Sequence, residues 1–220
     1  MSLFRLEGVS LRRGRTVVFD GLDCELEVGA TCVWGPSGAG KSTLLRFLNR
    51  LADPNGGRVL FHGDDVRSLD VLALRRRVVL APQLPSPFPG TVADNVLYGP
   101  RLAHRGADVP RMLELVALPR AYADRDAARL SVGEQQRLML ARALALEPEV
   151  VLLDEPTSAL DGAAREVVEE TLLHLRDEID VSLVVVTHDL EQARRLADWV
   201  VALEDGRVRA QGSAREVLVG

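Results

Sequence analysis

An α/β architecture with a mainly parallel sheet core is predicted by three features of the sequence. Continuous apolar runs such as Val150 to Leu153 and Ser182 to Val186 pass into polar residues and then into helical periodicity, the pattern of parallel strands buried on both faces. The first 28 residues instead alternate around turn signals at Arg13-Gly14-Arg15 and Asp20-Gly21, as an N-terminal antiparallel β addition does. From Pro82 to about Ala145 the texture changes to Pro-rich loops and short helical patterns, which reads as an α-helical subdomain inserted into the sheet. The expected organisation is one domain over 1–220, with a core of 1–81 and 146–220 and a helical subdomain of 82–145.

Strands are expected at Leu3 to Val9, Leu22 to Val28, Ala30 to Trp34, Arg58 to His62, Val78 to Ala81, Val150 to Leu153, Ser182 to Val186 and Val200 to Leu203. The Asp205-Gly206 turn should lead to a short strand and a terminal helix near Ala214 to Val219. No internal repeat or low-complexity tract interrupts this order.

Composition narrows the function. With 220 residues and 47% apolar side chains the chain can build a substantial core, which excludes a disordered protein. Basic and acidic side chains number 27 and 32, for a net charge of −5, and no basic block exceeds Arg75-Arg76-Arg77, so no broad nucleic-acid-binding face is expected. The longest apolar runs fall far short of the roughly 20 residues of a membrane-spanning helix. Met1 to Arg5 lack the basic start of a secretory signal, so a cytoplasmic location is expected. Cys24 and Cys32, the two cysteines, lie in strand-like segments and read as small buried hydrophobes.

Gly35-Pro36-Ser37-Gly38-Ala39-Gly40-Lys41-Ser42, followed by Thr43, has the spacing of a phosphate-binding P-loop, G, four residues, then G-K-S. It follows the apolar run Ala30 to Trp34 and opens a helix with Leu44, Phe47, Leu48 and Leu51 at helical spacing. The chemistry requires that context. Glycines let backbone N–H groups approach phosphates, the helix start adds a positive dipole, Lys41 reaches the outer phosphates, and the Ser42 hydroxyl can ligate Mg²⁺.

Val150 to Leu153 runs into Asp154-Glu155-Pro156, placing two acids at the carboxyl end of a buried strand, where α/β sheets bind ligands. Asp154 can hold Mg²⁺ through water, and Glu155 can polarise the water that attacks a γ-phosphate. A third strand, Ser182 to Val186, ends in Thr187-His188-Asp189. Asp189 reads as a helix N-cap with Gln192 three residues later, which leaves His188 facing the same crevice for a γ-phosphate contact.

Leu130-Ser131-Val132-Gly133-Glu134-Gln135-Gln136-Arg137 resembles the signature segment of ABC ATPases, the ATP-binding subunits of ABC transporters. Nearly the whole chain then falls into that family's order. Gly35 to Thr43 is similar to its Walker A loop, Gln83 to its Q-loop glutamine, Val150 to Glu155 to Walker B, Ser158-Ala159-Leu160-Asp161 to the D-loop, and His188 to the H-switch. The resemblance implies a P-loop NTPase fold and an ATPase using ATP and Mg²⁺. Its catalytic residues would be Glu155, His188 and Gln83, and its metal contacts Ser42, Gln83 and Asp154. It also implies a homodimer or pseudo-dimer in which Ser131 and Gly133, with Asp161, meet the ATP held by the other subunit's Walker A loop. Independently of the family, Ser131 and Glu134 have the spacing of a capping box, and a capped helix start is itself an anion site.

Two positions depart from the family's pattern. An aromatic ring normally faces adenine from the loop before the second strand, but Ser10 to Arg15 contains none, and Arg13 is the expected substitute for stacking. Val132 stands where the signature normally has Gly, adding bulk beside the expected phosphate. Leu84 to Val96 is similar to phosphate-importer ATPases, whereas the compact length resembles small subunits of metal or other export. Phe88, Val92, Val96, Leu97 and Tyr98 are expected to leave an apolar groove, rimmed by Asp94, Asn95 and Arg101, for a cytoplasmic helix of a separate membrane permease. The protein would then sit peripherally on the inner face of the cell membrane. A soluble ABC ATPase of an assembly complex and a P-loop small-molecule kinase are the other readings; the kinase leaves Ser131 to Arg137 without a role.

Overall fold

The structure, a computed structural model, describes residues 2–218. β1 (Ser2–Arg13) and β2 (Thr16–Glu27) form a hairpin about Gly14, as the Arg13-Gly14-Arg15 signal predicts. The second signal, Asp20-Gly21, is not a turn. β2 runs through it, and the pairing slips between Val9↔Leu22 and Leu11↔Phe19, a bulge that Gly21 accommodates with a φ of +70°. With β4 (Gly56–Phe61) and β5 (Asp64–Asp65) these strands make an antiparallel sheet of order β2-β1-β4-β5. His62, expected to close β4, lies beyond it with a φ of +52°.

The larger sheet contains β3 (Ala30–Trp34), β6 (Val78–Ala81), β7 (Val150–Asp154), β8 (Ser182–Thr187), β9 (Trp199–Glu204) and β10 (Arg207–Ser213), in the order β10-β9-β3-β8-β7-β6. All its pairings are parallel except that of β9 with β10, which turns at Asp205-Gly206. The continuous apolar runs are explained by its two covered faces. Ala30, Cys32, Val151, Leu153, Leu183 and Val185 pack on the helical side, while Val33, Val150, Leu152, Val184 and Val186 pack on the other. Burial pushes the thiols of both Cys24 and Cys32 up to about 12, so they remain neutral packing groups.

The helices are α1 (Lys41–Leu48), α2 (Val71–Arg77), α3 (Val92–Leu102), α4 (Val109–Leu115), α5 (Val132–Leu144), α6 (Gly162–Glu178), α7 (Leu190–Leu196) and α8 (Ala214–Val217). Leu44, Phe47 and Leu48 bury the apolar face of α1, but Leu51 lies past its end and is 49% exposed, because the chain leaves the helix through Arg50 at a φ of +54°. Val219, expected in the last helix, lies outside the described residues. Between β6 and β7 the chain forms α3, α4 and α5, the helical insertion. Its Val92, Val96, Leu113 and Leu138 share one buried cluster with Ala30 and Leu153 of the sheet. No helix of the described residues is long and apolar enough to cross a membrane.

The apolar segment around α3 divides differently from expectation. Val92 and Val96 are fully buried in that shared cluster, and Leu97 is half-buried, whereas Phe88 and Tyr98 stay 41% and 45% exposed, their rings 4.2 Å apart. Asn95 is not on a rim. It is fully buried, its side-chain oxygen accepting from Phe88 N–H at 2.8 Å and its amide donating to the Phe88 and Thr91 carbonyls, both at 3.0 Å. Asn95 therefore closes the loop that presents Phe88. Replacing it removes three hydrogen bonds to part-buried backbone groups, so Asn95→Ala should destabilise the chain by about 1 to 3 kcal/mol in urea denaturation.

Candidate functional site

The strand order places β3, β8 and β7 side by side, so their carboxyl ends open onto one crevice. β3 feeds the 35–40 loop and α1, β7 ends at Asp154-Glu155, and β8 ends at Thr187-His188. Gly35 is required at the base of the loop because a Cβ there would lie 1.9 Å from the Leu203 carbonyl oxygen. Pro36, Ser37 and Gly38 are exposed, Ala39 is buried, and Gly40 and Ser42 are half-buried. Thr43, on the first turn of α1, is buried.

Lys41 is 4% exposed, and its Nζ donates to the Gly35 and Pro36 carbonyls at 2.8 and 2.9 Å. Burial pushes the ammonium pKa down, and the nearby Glu155 and Asp154 charges oppose that. Ser42 donates its hydroxyl to Asp154 at 2.8 Å. Burial pushes the Asp154 carboxyl up, against the Ser42 hydrogen bond, and the adjacent Glu155 charge adds to the rise. The Glu155 carboxylate lies 3.9 Å from Lys41 Nζ and 3.3 Å from His188 Nδ1. Its backbone takes a left-handed φ of +46°, an uncommon state for a non-glycine residue. Gln83, exposed just after β6, donates to Ser158 Oγ at 3.3 Å, and Ser158 donates to the Glu155 carbonyl at 3.0 Å.

The structure thus brings Lys41, Ser42, Asp154, Glu155, His188 and Gln83 together. It does not bring Ser131, Gly133 or Arg13 to them. Ser131 caps α5, accepting from Glu134 N–H while Glu134 accepts from Ser131 N–H, so the capping box forms as its spacing predicts. Gly133 is buried against α6, where a Cβ would lie 2.9 Å from the Ala164 Cβ, and Val132 is 50% exposed. Asp161 caps α6 by accepting from Ala164 N–H at 2.9 Å and is exposed. Arg13 is exposed at the β1–β2 hairpin, while Phe19 is the ring that lies against the 35–40 loop, 2.7 Å from the position of a Cβ on Gly40.

Four further residues belong to this region, three of them absent from the sequence reading and the fourth, Gln192, read there only as the partner of a helix cap. Thr157, Arg165 and Gln192 join Glu155, His188 and Asp189 around a cavity of about 140 Å³, and Glu169 lies buried behind them. Asp189 caps α7 as expected, but Gln192 does not return its side chain to the cap; its amide donates to Thr157 and Glu169 instead. The available signal was Glu169 itself, an acid on the stripe of Val168, Leu172 and Leu175 that α6 buries.

Residues 19–158 match the ABC transporter family model. The chain belongs to the ABC transporter family. Over 211 residues it is 46% identical to Protein STAR1 of Oryza sativa subsp. japonica, covering 93% of this chain and 61% of that protein. It is 41% identical over 206 residues to the phosphate import ATP-binding protein PstB of Thermotoga maritima, covering 86% of this chain and 80% of the relative. Among solved structures, the dimeric post-hydrolysis state of the ATP-binding cassette MJ0796, bound to ADP and phosphate, superposes with a TM-score of 0.81 at 29% identity, covering 96% of this chain and 99% of that one. The chain is therefore an ABC-type ATPase with the P-loop NTPase fold, and the small-molecule kinase reading gives way.

The Asp154 carboxyl has a stability consequence. Its folded pKa is raised above the unfolded value of about 3.9, so ionisation opposes folding; that penalty is absent below the unfolded pKa and grows to its full size as pH rises through the folded one. Asp154→Asn should accordingly raise the Tm of the nucleotide-free protein at pH 7, by an increment that shrinks towards pH 4, read by differential scanning calorimetry.

Proposed function

We propose that this chain is the ATP-hydrolysing subunit of an ABC transporter, working as a dimer with two composite sites and driving a separate membrane permease. The observation that carries the dimer is the division of the site. Lys41, Ser42, Asp154, Glu155 and His188 converge at the strand ends, while Ser131 and the exposed Asp161 stand apart on the starts of α5 and α6, free to meet a phosphate held by a second copy. The likeness to a dimeric cassette supports this arrangement.

In this reading Lys41 and the loop from Gly35 to Thr43 hold the phosphates of ATP, and Glu155 orients the attacking water with His188 beside it. Mg²⁺ fits the oxygen donors at hand. Ser42 and Asp154 offer a hydroxyl and a carboxylate 2.8 Å apart, the carboxylate is short of compensating charge, and this ion commonly takes few protein ligands and completes its shell with water and phosphate. Gln83, linked through Ser158 to the Glu155 backbone carbonyl, offers a side-chain oxygen as a further ligand. Bound there, the ion would neutralise charge on the outer phosphates. Arg13 is assigned to the adenine ring, with the planar guanidinium as the stacking surface.

The permease is assigned to the helical insertion of 82–145. Phe88, Tyr98 and Leu102 line an open apolar groove of about 280 Å³ with Pro82, Met139 and Arg142. Leu102 is 66% exposed and Arg142 sits 4.7 Å over the Phe88 ring, so the groove offers apolar surface with a cation at its base. Docking there would hold the subunit peripherally at the cytoplasmic face of the membrane. The name of the Thermotoga relative, a phosphate importer, makes import the first direction to test.

Two experiments test the reading. Glu155→Gln should retain ATP yet hydrolyse it orders of magnitude more slowly, and gel filtration with MgATP should then show a dimer, whereas Lys41→Ala should neither bind nor dimerise. A Glu155→Gln protein that stays monomeric at high concentration contradicts the composite site. Phe88→Ala, at a residue already 41% exposed, should leave the isolated subunit folded and ATP-binding while reducing transport in the assembled complex. Normal transport by that complex removes the docking assignment.

A further inference from the structure

Glu169 belongs to α6 and is 2% exposed, a burial that a carboxylate sustains only with full compensation. It has that compensation. Arg165 Nε lies 2.9 Å from one of its oxygens and Arg195 2.8 Å from the other, and the Gln192 amide donates to it at 2.9 Å. Two of these partners reach further. The other arm of Arg165 pairs with Asp189, the residue after His188 and the cap of α7. The same Gln192 amide donates at 2.7 Å to Thr157, two residues after Glu155. Asp189 in turn accepts from Gln192 N–H, and its own N–H donates to Thr187. One buried carboxylate therefore joins the loop after Asp154-Glu155 to the segment carrying His188, directly behind the Glu155–His188 contact of 3.3 Å.

We infer that Glu169 is a positioning residue that holds His188 against Glu155 through Arg165–Asp189 and Gln192–Thr157. The inference rests on the proposed role of Glu155 and His188 in hydrolysis. His188 has an exposed side chain and, among the described residues, no hydrogen-bond or ion-pair partner for its ring other than Glu155, so its place is set by the backbone on which Asp189 is clamped. Loss of the clamp acts on chemistry rather than on the cradle, because among the described residues Glu169, Arg165, Gln192, Thr157 and Asp189 make no hydrogen bond or ion pair to the 35–42 loop, and Thr187 meets it through its backbone carbonyl, which accepts from Gly35 N–H at 3.3 Å.

Steady-state ATPase measurements on the full chain test this with Glu169→Gln, His188→Ala and the double variant, and with Arg165→Lys as a milder break on the more accessible member. Glu169→Gln should lower kcat about tenfold with KM for MgATP within about twofold, and Arg165→Lys should lower kcat by a smaller factor in the same pattern. In the His188→Ala background neither change should lower kcat further, which a purely structural role would not produce. Multiplicative losses in that background, or a change confined to KM, overturn the positioning role. Full kcat in His188→Ala alone overturns the reading of His188 and this inference with it. If Glu169→Gln does not fold, the Arg165→Lys cycle decides by the same criteria.

Discussion

The constraint on which the site depends is the burial of the Lys41 ammonium. At 4% exposure it is withdrawn from water, and two backbone carbonyls of its own loop together with the charges of Asp154 and Glu155 offset the lost hydration. Those acids come from a strand that is not the neighbour of the one feeding Lys41; β8 lies between them. A parallel sheet in this order delivers a lysine, two carboxylates and a histidine to the same edge, the lysine from a segment more than a hundred residues from the other three in the chain. The apolar runs that identify the strands are thus the means by which the charges are assembled.

Much of this was legible. The strands of the larger sheet are short, apolar and followed by helices, and each catalytic candidate sits at a strand end, so local pattern and site coincide. The features that were not legible are those fixed by contacts that the local spacing rules do not read. Asp20-Gly21 has turn chemistry, yet pairing with β1 carries β2 through it as a bulge. Asn95 is polar in an apolar segment and reads as a rim residue, until the backbone of Phe88 folds over it. Gln192 has capping-box spacing, but the buried Glu169 and Thr157 take its amide instead. In each the deciding partner lies outside the spacing that the local signal reads: Asn95 bonds back to Phe88, β2 pairs with β1, and Gln192 reaches Thr157 and Glu169 in a separate segment.

The start of α5 shows how a signature sequence can be partly structural. Gly133 is where α5 approaches α6, and its missing Cβ is what allows Ala164 to sit so near. Val132 is 50% exposed and belongs to neither buried cluster. The glycine therefore sets the relative placement of two helix starts, those capped by Ser131 and Asp161, which are the two groups assigned to a partner's nucleotide. A packing contact between helices thereby becomes a constraint on the geometry of a composite site.

The same economy links the groove to the acid pair. Gln83 reaches the Glu155 carbonyl through Ser158, and five residues later Phe88 lines the groove, its backbone held by Asn95 and its ring beneath Arg142, which also donates to the Ser86 carbonyl. Residues 83 to 88 are thus fastened at both ends, to the loop bearing Glu155 at one and to α3 and α5 at the other. A tether this short cannot absorb a displacement of one end without moving the other or breaking a bond. For a transport ATPase that is the physical requirement of coupling, because a signal passes between two sites only where each state of one makes different contacts at the other.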